Sequence, residues 1–460
     1  MEPDHIRFGG GVTETVLHPL VAVWMLIAII LMFALPRKKA ITPFLLAFFT
    51  ISVGQVVLLA NIHFTALRIL IIAGVIRVAI ARFFSAQRVF TGKFNAIDKA
   101  VVLWTLSALI VISLQWMDSQ ALVKNLGDFL DALGGYIVVR FFISDDDAIR
   151  RTVKALAMAC AIQGACMLNE RITQVNVFGF LGGIPVTVTV RDGAIRAQGV
   201  MGCIYAGVFA GCVFPLFLWL WKEGSSRYVA AAGIMGALAI VITSNSSTSY
   251  MALGGSLIGL CFWPLRKNMR LVRWIFAFSL IGLHMFMNGP VWSLIARVDL
   301  TGSSSSYHRY YLVDNLIRHF GDWWLLGYKN YDDWGWDMWD TCNQFVDVAL
   351  KGGLSTLVCY IAIFSCSFGL IGRARKRISG ERSQEWYLWC LGSTLFANVV
   401  ASFGINYMAQ LLMTLFPLLA CISVAGSEAR IAVVRKKAKQ ARVPMVPSLA
   451  TTDLPFQEAR

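Results

Sequence analysis

What most restricts the fold of this chain is the recurrence of apolar stretches long enough to cross a membrane. Such runs, mostly of about 17 to 22 residues, can be placed near 17–35, 41–60, 64–82, 100–115, 126–143, 153–169, 203–221, 228–243, 249–264, 272–287, 353–372, 387–404 and 407–425. Backbone N–H and C=O groups in lipid have to be satisfied within the protein, and a helix does this locally, so each run is expected as a helix. The expectation is an all-α, polytopic transmembrane helix bundle of about 12–13 spans. Composition agrees: 57% hydrophobic and 15% charged residues, with a mean hydropathy of +0.64, exclude a soluble globule of 460 residues. The first run ends at Arg37-Lys38-Lys39 instead of a small-residue cleavage site, which marks a retained span and not a signal peptide.

A formal charge of +15 raises the question of nucleic acid, but its distribution answers otherwise. With the N-terminus outside, 28 of the 41 Lys and Arg residues fall in connections assigned to the cytoplasm and 10 in those outside. That skew is what the positive-inside rule requires, so no nucleic-acid partner is expected. The domain reading is a transmembrane helical domain over 1–429, an outer loop over 288–352 inserted within it, and a basic cytoplasmic tail over 430–460. The tail, with RKKAKQAR, is suited to lie on anionic lipid. The ten cysteines form no CxxC pair and no Cys/His cluster with zinc spacing, so they read as small core residues and no metal site is expected.

The polar interruption from Asn288 to Gly352 gathers two of the six histidines, six of the fifteen tryptophans and eight aspartates. After Gly302 and its four serines, a helix is expected over about Tyr307–Phe320, with Asp314 and Arg318 paired on its wet face. Arg309 falls in line with Val313, Leu316 and Phe320 and therefore points into the protein. A cation aimed inward at a helix N-terminus calls for an anion. His308 beside it is a candidate general base or a solvated loop histidine. Asp340 and Asn343 open an amphipathic turn through Asp347 and Lys351, expected to lie on the membrane before the next span. Trp323, Trp324 and Trp336 alternate with aspartates. Either they anchor the loop at the interface or they offer a sugar flat faces, with acceptors for its hydroxyls nearby.

A second outer connection, Asn169 to Gly199, ends in RDGAIRAQG. Arg191 and Arg196 flank a glycine turn and either sit in interfacial water or grip a phosphate by fork geometry. Arg68, Arg77 and Arg140 lie within apolar runs and should face the bundle, partnered by Asp128, Asp131 or Glu170 or by a lipid phosphate.

Taken in order, HFTALR (63–68), GGYIVVR (134–140), RDGAIRAQG (191–199), GSSSSYHRYYLVD (302–314), DTCNQFVDVALKGGL (340–354) and NYMAQ (406–410) give a chain that resembles the O-antigen ligase/polymerase superfamily of bacterial envelope proteins. The resemblance implies a GT-C-like glycosyltransferase architecture with one large periplasmic loop, in the bacterial inner membrane. It implies a multi-pass chain whose N-terminus is periplasmic and whose C-terminus is cytoplasmic. It further implies a metal-independent enzyme without cofactor that uses a polyprenyl-pyrophosphate-linked glycan, with flippase and chain-length regulator proteins as partners besides membrane lipids. Arg196 and Arg309 match the pyrophosphate clamps, with Arg191, Asn343, Trp323, Trp324, Trp336, Arg68 and Arg140 as further substrate-binding positions. Cys342 and Cys203 stand where ligase relatives carry histidines. That departure favours a polymerase of exopolysaccharide or O-antigen repeat units over a ligase acting on lipid A core, with His308 or Asp340 as base. A transporter or flippase of lipid-linked sugars is the reading from another class.

Overall fold

The computed structural model describes residues 14–59, 62–85, 87–91, 93–191, 193–297, 305–378, 380–427 and 430–432. The start of the chain, Asp192, the first two serines of the serine run and nearly all of the basic tail lie outside the described residues, as do the expectations attached to them.

α1 (Pro19–Ala34) begins with proline, whose missing N–H costs nothing in a first turn, and His18 caps it. α2 (Ile41–Thr50) is shorter than expected. The 41–60 run is not one span: after Thr50 the chain turns into an antiparallel hairpin of β1 (Val56–Leu59) and β2 (Ile62–Thr65). Non-helical backbone is tolerated here because Gln55, fully buried, donates from Nε2 to the carbonyls of Leu181 and Gly182 and accepts from the His18 N–H. α3 (Ala66–Phe83) is capped by the Thr65 hydroxyl. α4 (Ala96–Trp116) starts from a reciprocal Asn95/Asp98 capping box. α5 (Ser119–Phe129) passes through one π-helical turn at Leu130–Gly134 into α6 (Gly135–Phe142).

α7 (Asp146–Thr173) leads to a hairpin of β3 (Thr189–Arg191) and β4 (Ala194–Arg196). Then come α8 (Cys203–Glu223), α9 (Arg227–Ser244), α10 (Ser247–Cys261) and α11 (Met269–Phe286). Within the polar insertion lie α12 (Leu294–Arg297), α13 (Ser305–Arg318) and α14 (Phe320–Trp323). α15 (Gln344–Arg377), α16 (Arg382–Ser402) and α17 (Ala409–Ala425) close the bundle.

Six helices are long and apolar enough to cross a membrane: α4, α7, α8, α9, α15 and α11 with the turn before it. α1, α2 and α17 are shorter apolar helices. The chain is thus a mostly helical, polytopic bundle, with fewer full-length crossings among the described residues than the sequence runs suggest. α8 is its axis: 83% of its most apolar window is buried, against none for α11. A helix apolar all round yet uncovered by protein belongs against lipid tails. α7 and α9 approach closely because Gly164 and Gly236 face each other. A Cβ on Gly164 would lie 2.6 Å from the Gly236 carbonyl oxygen, the small-residue contact that membrane helices use to bring backbones together.

The segment 344–351 differs from its expectation. It does not lie as a separate turn but forms the first part of α15, and Val346, Ala349 and Leu350 are buried against Leu312, Leu316, Trp323 and Met338. These residues give the polar insertion a small apolar core of its own. The helix breaks at Gly353 (φ 66°, ψ −174°), where the carbonyl of Leu325 closes in from the insertion.

Candidate functional site

A cavity of about 190 Å³ opens where the polar insertion meets the bundle, and four separate stretches of sequence build it. The first is the β3–β4 hairpin. Its register pairs Thr189 with Arg196 and Arg191 with Ala194. Residues two apart share a face of a strand, so Arg191 and Arg196 project from the same face, and both line the cavity. The backbone beyond is fixed by Glu170. Its buried carboxylate accepts from the N–H groups of Gln198 (2.6 Å) and Gly199 (2.9 Å), while Arg196 Nε donates to the Asn245 carbonyl (3.0 Å). Glu170 therefore holds a turn and does not partner an intramembrane arginine.

The second stretch is the start of α10. Ser246, Ser247 and Thr248 line the cavity, and the first-turn N–H groups of a 15-residue helix add positive potential there. The third is α13, which delivers Arg309. As its helical phase requires, Arg309 is turned inward and is only 5% exposed. Its Nη2 donates to the Thr248 hydroxyl (2.8 Å), which in turn donates to the Gly404 carbonyl (3.1 Å). On the opposite side of α13, Arg318 pairs with Asp314 at 2.7 Å. The helix N-terminus and the arginines give this side of the cavity positive potential, while Asp337 and Asp340 also line it.

The fourth stretch is Asp340–Asn343, next to His308. Asn343 is buried and caps α15, its Oδ1 accepting from the N–H groups of Phe345 and Val346, and the Thr341 hydroxyl donates to Asp347. Asn343 is thus a structural cap and not a ligand-facing residue. The tied-down turn leaves the Asp340 carbonyl to accept from the Cys342 N–H (2.8 Å) and from His308 Nε2 (2.9 Å). A carbonyl oxygen only accepts, so Nε2 donates, and in the neutral imidazole Nδ1 then keeps its lone pair; that atom is buried and has no partner among the described residues. Trp336, 72% exposed, stands over this corner with its ring edge-on to the imidazole (6.4 Å between centroids). Burial, and then the charge of Asp340, push the Cys342 thiol up to about 12 despite the nearby Arg309.

Six residues singled out in the sequence therefore meet in one cavity: Arg191, Arg196, His308, Arg309, Trp336 and Asp340. The others lie apart. Trp323 is 4% exposed and donates to the Leu316 carbonyl, so its ring belongs to the insertion's core and has no open face for a sugar. Trp324 is half-exposed and does not line the cavity. Arg68 is held by Asp131 (2.7 Å) and Asp128 (3.5 Å). Arg140 is buried against Asp98, which also accepts from the Tyr136 hydroxyl. Arg77 donates to the Leu35 carbonyl and lies over the Phe142 ring. The contribution of 246–248 was missed because the connection is so short; its signal was a run of hydroxyl residues, SNSSTS, between two apolar stretches.

Fold and cavity define a class: a helical membrane protein with a polar cavity, lined by three arginines and two aspartates, beneath a polar insertion. Neither the models of known families nor the curated proteins match the chain in sequence.

Proposed function

We propose that the chain is a polymerase that joins polyprenyl-pyrophosphate-linked oligosaccharide repeat units, of exopolysaccharide or O-antigen, at the outer face of a bacterial inner membrane. The observation that carries this reading is the convergence of Arg191, Arg196 and Arg309 on the N-terminus of α10, beside a histidine nitrogen, Nδ1 of His308, that has no hydrogen-bond partner among the described residues. A pyrophosphate that carries two charges in the donor and gains a third as its bond breaks calls for fixed donors where that charge develops, and guanidinium forks supply them. Nδ1 of His308 takes the proton of an acceptor sugar hydroxyl. The oxygen attacks the anomeric carbon of the donor glycan, the bond from that carbon to the pyrophosphate oxygen breaks, and polyprenyl pyrophosphate leaves with the electron pair. Asp340 and Trp336 are placed to hold sugar hydroxyls and a ring face. The donor is already activated, so the reaction as written draws on no nucleotide. The GT-C-like architecture and the periplasmic side of the insertion belong to the same proposal.

Two readings compete. A ligase acting on lipid A core would use the same cavity with a different acceptor, and product analysis separates the two. A flippase would need charges lining a conduit. Against it stands the observation that Arg68 and Arg140 are each paired with a carboxylate within the protein, while Arg77 donates to the Leu35 carbonyl. The test is reconstitution with lipid-linked repeat units. Arg196→Ala and Arg309→Ala are expected to slow glycan elongation by about a hundredfold or more, with Arg309→Lys rescuing little because it keeps the charge but loses the fork. Elongation at the wild-type rate by normally inserted variants would rule the site out.

A further inference from the structure

We infer that His308, Asp340 and Cys342 form a three-ligand site for a thiophilic divalent cation, with Zn²⁺ the best match. One ring nitrogen, one carboxylate oxygen and the sulfur lie within 4.8 Å of one another. Tetrahedral zinc, with bonds of about 2.0–2.3 Å, needs its donors somewhat closer than this, so small side-chain rotations complete the site. Neither residue spacing nor the cysteine pattern announces it, since 32 residues separate His308 from Asp340 along the chain.

Three features support the assignment. The first is the imidazole. Metal-bound histidines as a rule donate their other N–H to a carboxylate or backbone carbonyl, which fixes ring and tautomer. His308 already does so, with Nε2 on the Asp340 carbonyl at 2.9 Å. In the neutral ring Nδ1 is left as a lone-pair donor, in a side chain only 6% exposed and without a partner among the described residues. The second is the backbone. The Asp340 carbonyl accepts from both His308 Nε2 and the Cys342 N–H, so one tight turn positions all three donors. Thr341 and Asn343 anchor that turn to α15 on either side of Cys342. The third is the donor set. Nitrogen, sulfur and one carboxylate select zinc over magnesium and calcium, which take oxygen.

Three protein donors leave the fourth position open to the cavity. The neighbouring arginines oppose a bare dication, but a thiolate and a carboxylate carry two negative charges between them, so the filled site is neutral. The cation takes the place of the Cys342 proton, which is released to solvent. Binding does not depend on the glycosyl-transfer reading. A consequence that does rest on it is that a cation on Nδ1 excludes that atom from acting as base.

The experiment uses the full-length protein in detergent, stripped with chelator and titrated with Zn²⁺, then with Co²⁺. The expected result is one Zn²⁺ per chain, weakened at least about tenfold in Cys342→Ser and in His308→Gln, and a thiolate-to-cobalt charge-transfer band that Cys342→Ser abolishes. Gel filtration establishes that each variant is folded. Equal zinc binding by wild type and a folded His308→Gln/Cys342→Ser double variant would overturn the site, as would a cobalt complex of the wild type without the thiolate band. Both readouts are made without glycan, so their failure is distinguishable from failure of the polymerase reading.

Discussion

Arg309 and Arg140 are both buried arginines, and the sequence treated them differently. The inward aim of Arg309 was legible because a period of 3.6 residues places it with Val313 and Leu316. The partner of Arg140 was not. Asp98 lies 42 residues away in the capping box of α4, so nothing local points to it. The two side chains are 1% and 0% exposed. Asp98→Ala would leave the guanidinium and the Tyr136 hydroxyl without it in the interior, and is expected to destabilise the folded chain by about 3–5 kcal/mol. Asp98→Ala/Arg140→Leu should recover part of that loss, as read by denaturation in detergent. Cys342 gives a pH prediction. Its thiol, raised to about 12, holds its proton where an ordinary thiol would begin to ionise, so thiolate is scarce at pH 8 and accumulates only as pH approaches 12. In a variant retaining only this cysteine, alkylation at pH 8 should run about a thousandfold slower than for an ordinary exposed thiol. A rate like that of an exposed thiol would contradict the burial described.

Among the elements, hydrophobic runs identified helices well where the whole helix sits in one environment, as α4, α8 and α9 show. They misled at 41–60, where an equally apolar stretch is half helix and half hairpin, because a buried glutamine can satisfy the turning backbone and periodicity does not report that. The hairpin carrying Arg191 and Arg196 was legible only as a glycine turn. Its register, which puts both arginines on one face, comes from pairing. At the junction of insertion and bundle, Gly353 carries a positive φ with the Leu325 carbonyl oxygen 2.6 Å from where a Cβ would stand. Gly353→Ala is therefore expected to cost about 1–3 kcal/mol through backbone strain, with the clash adding to it. Faster protease cleavage within 305–343, while the bundle stays intact, would locate the damage there. Trp323→Ala should likewise lower stability, by about 3–5 kcal/mol, instead of changing sugar affinity alone.

At the scale of the whole molecule, the sequence located the polar insertion and a second connection, Asn169 to Gly199, and the structure brings their arginines into one cavity. The resemblance had paired Arg196 with Arg309 and set Asp340 beside them; what the sequence did not show is that the start of α10 completes the cavity. On the proposed orientation, a cysteine replacing Asp332 should react with a membrane-impermeant maleimide added outside the inner membrane. Labelling only after the membrane is opened would reverse the topology. The central claim is that the arginine-lined cavity receives a lipid pyrophosphate. The most direct measurement is the position of a bound polyprenyl pyrophosphate in the full-length protein by cryo-electron microscopy. The account predicts its two phosphates between Arg196 and Arg309 at the N-terminus of α10, with the polyprenyl chain leaving toward lipid. Phosphate density away from these arginines, beside Arg68 or Arg140 within the bundle, would contradict it.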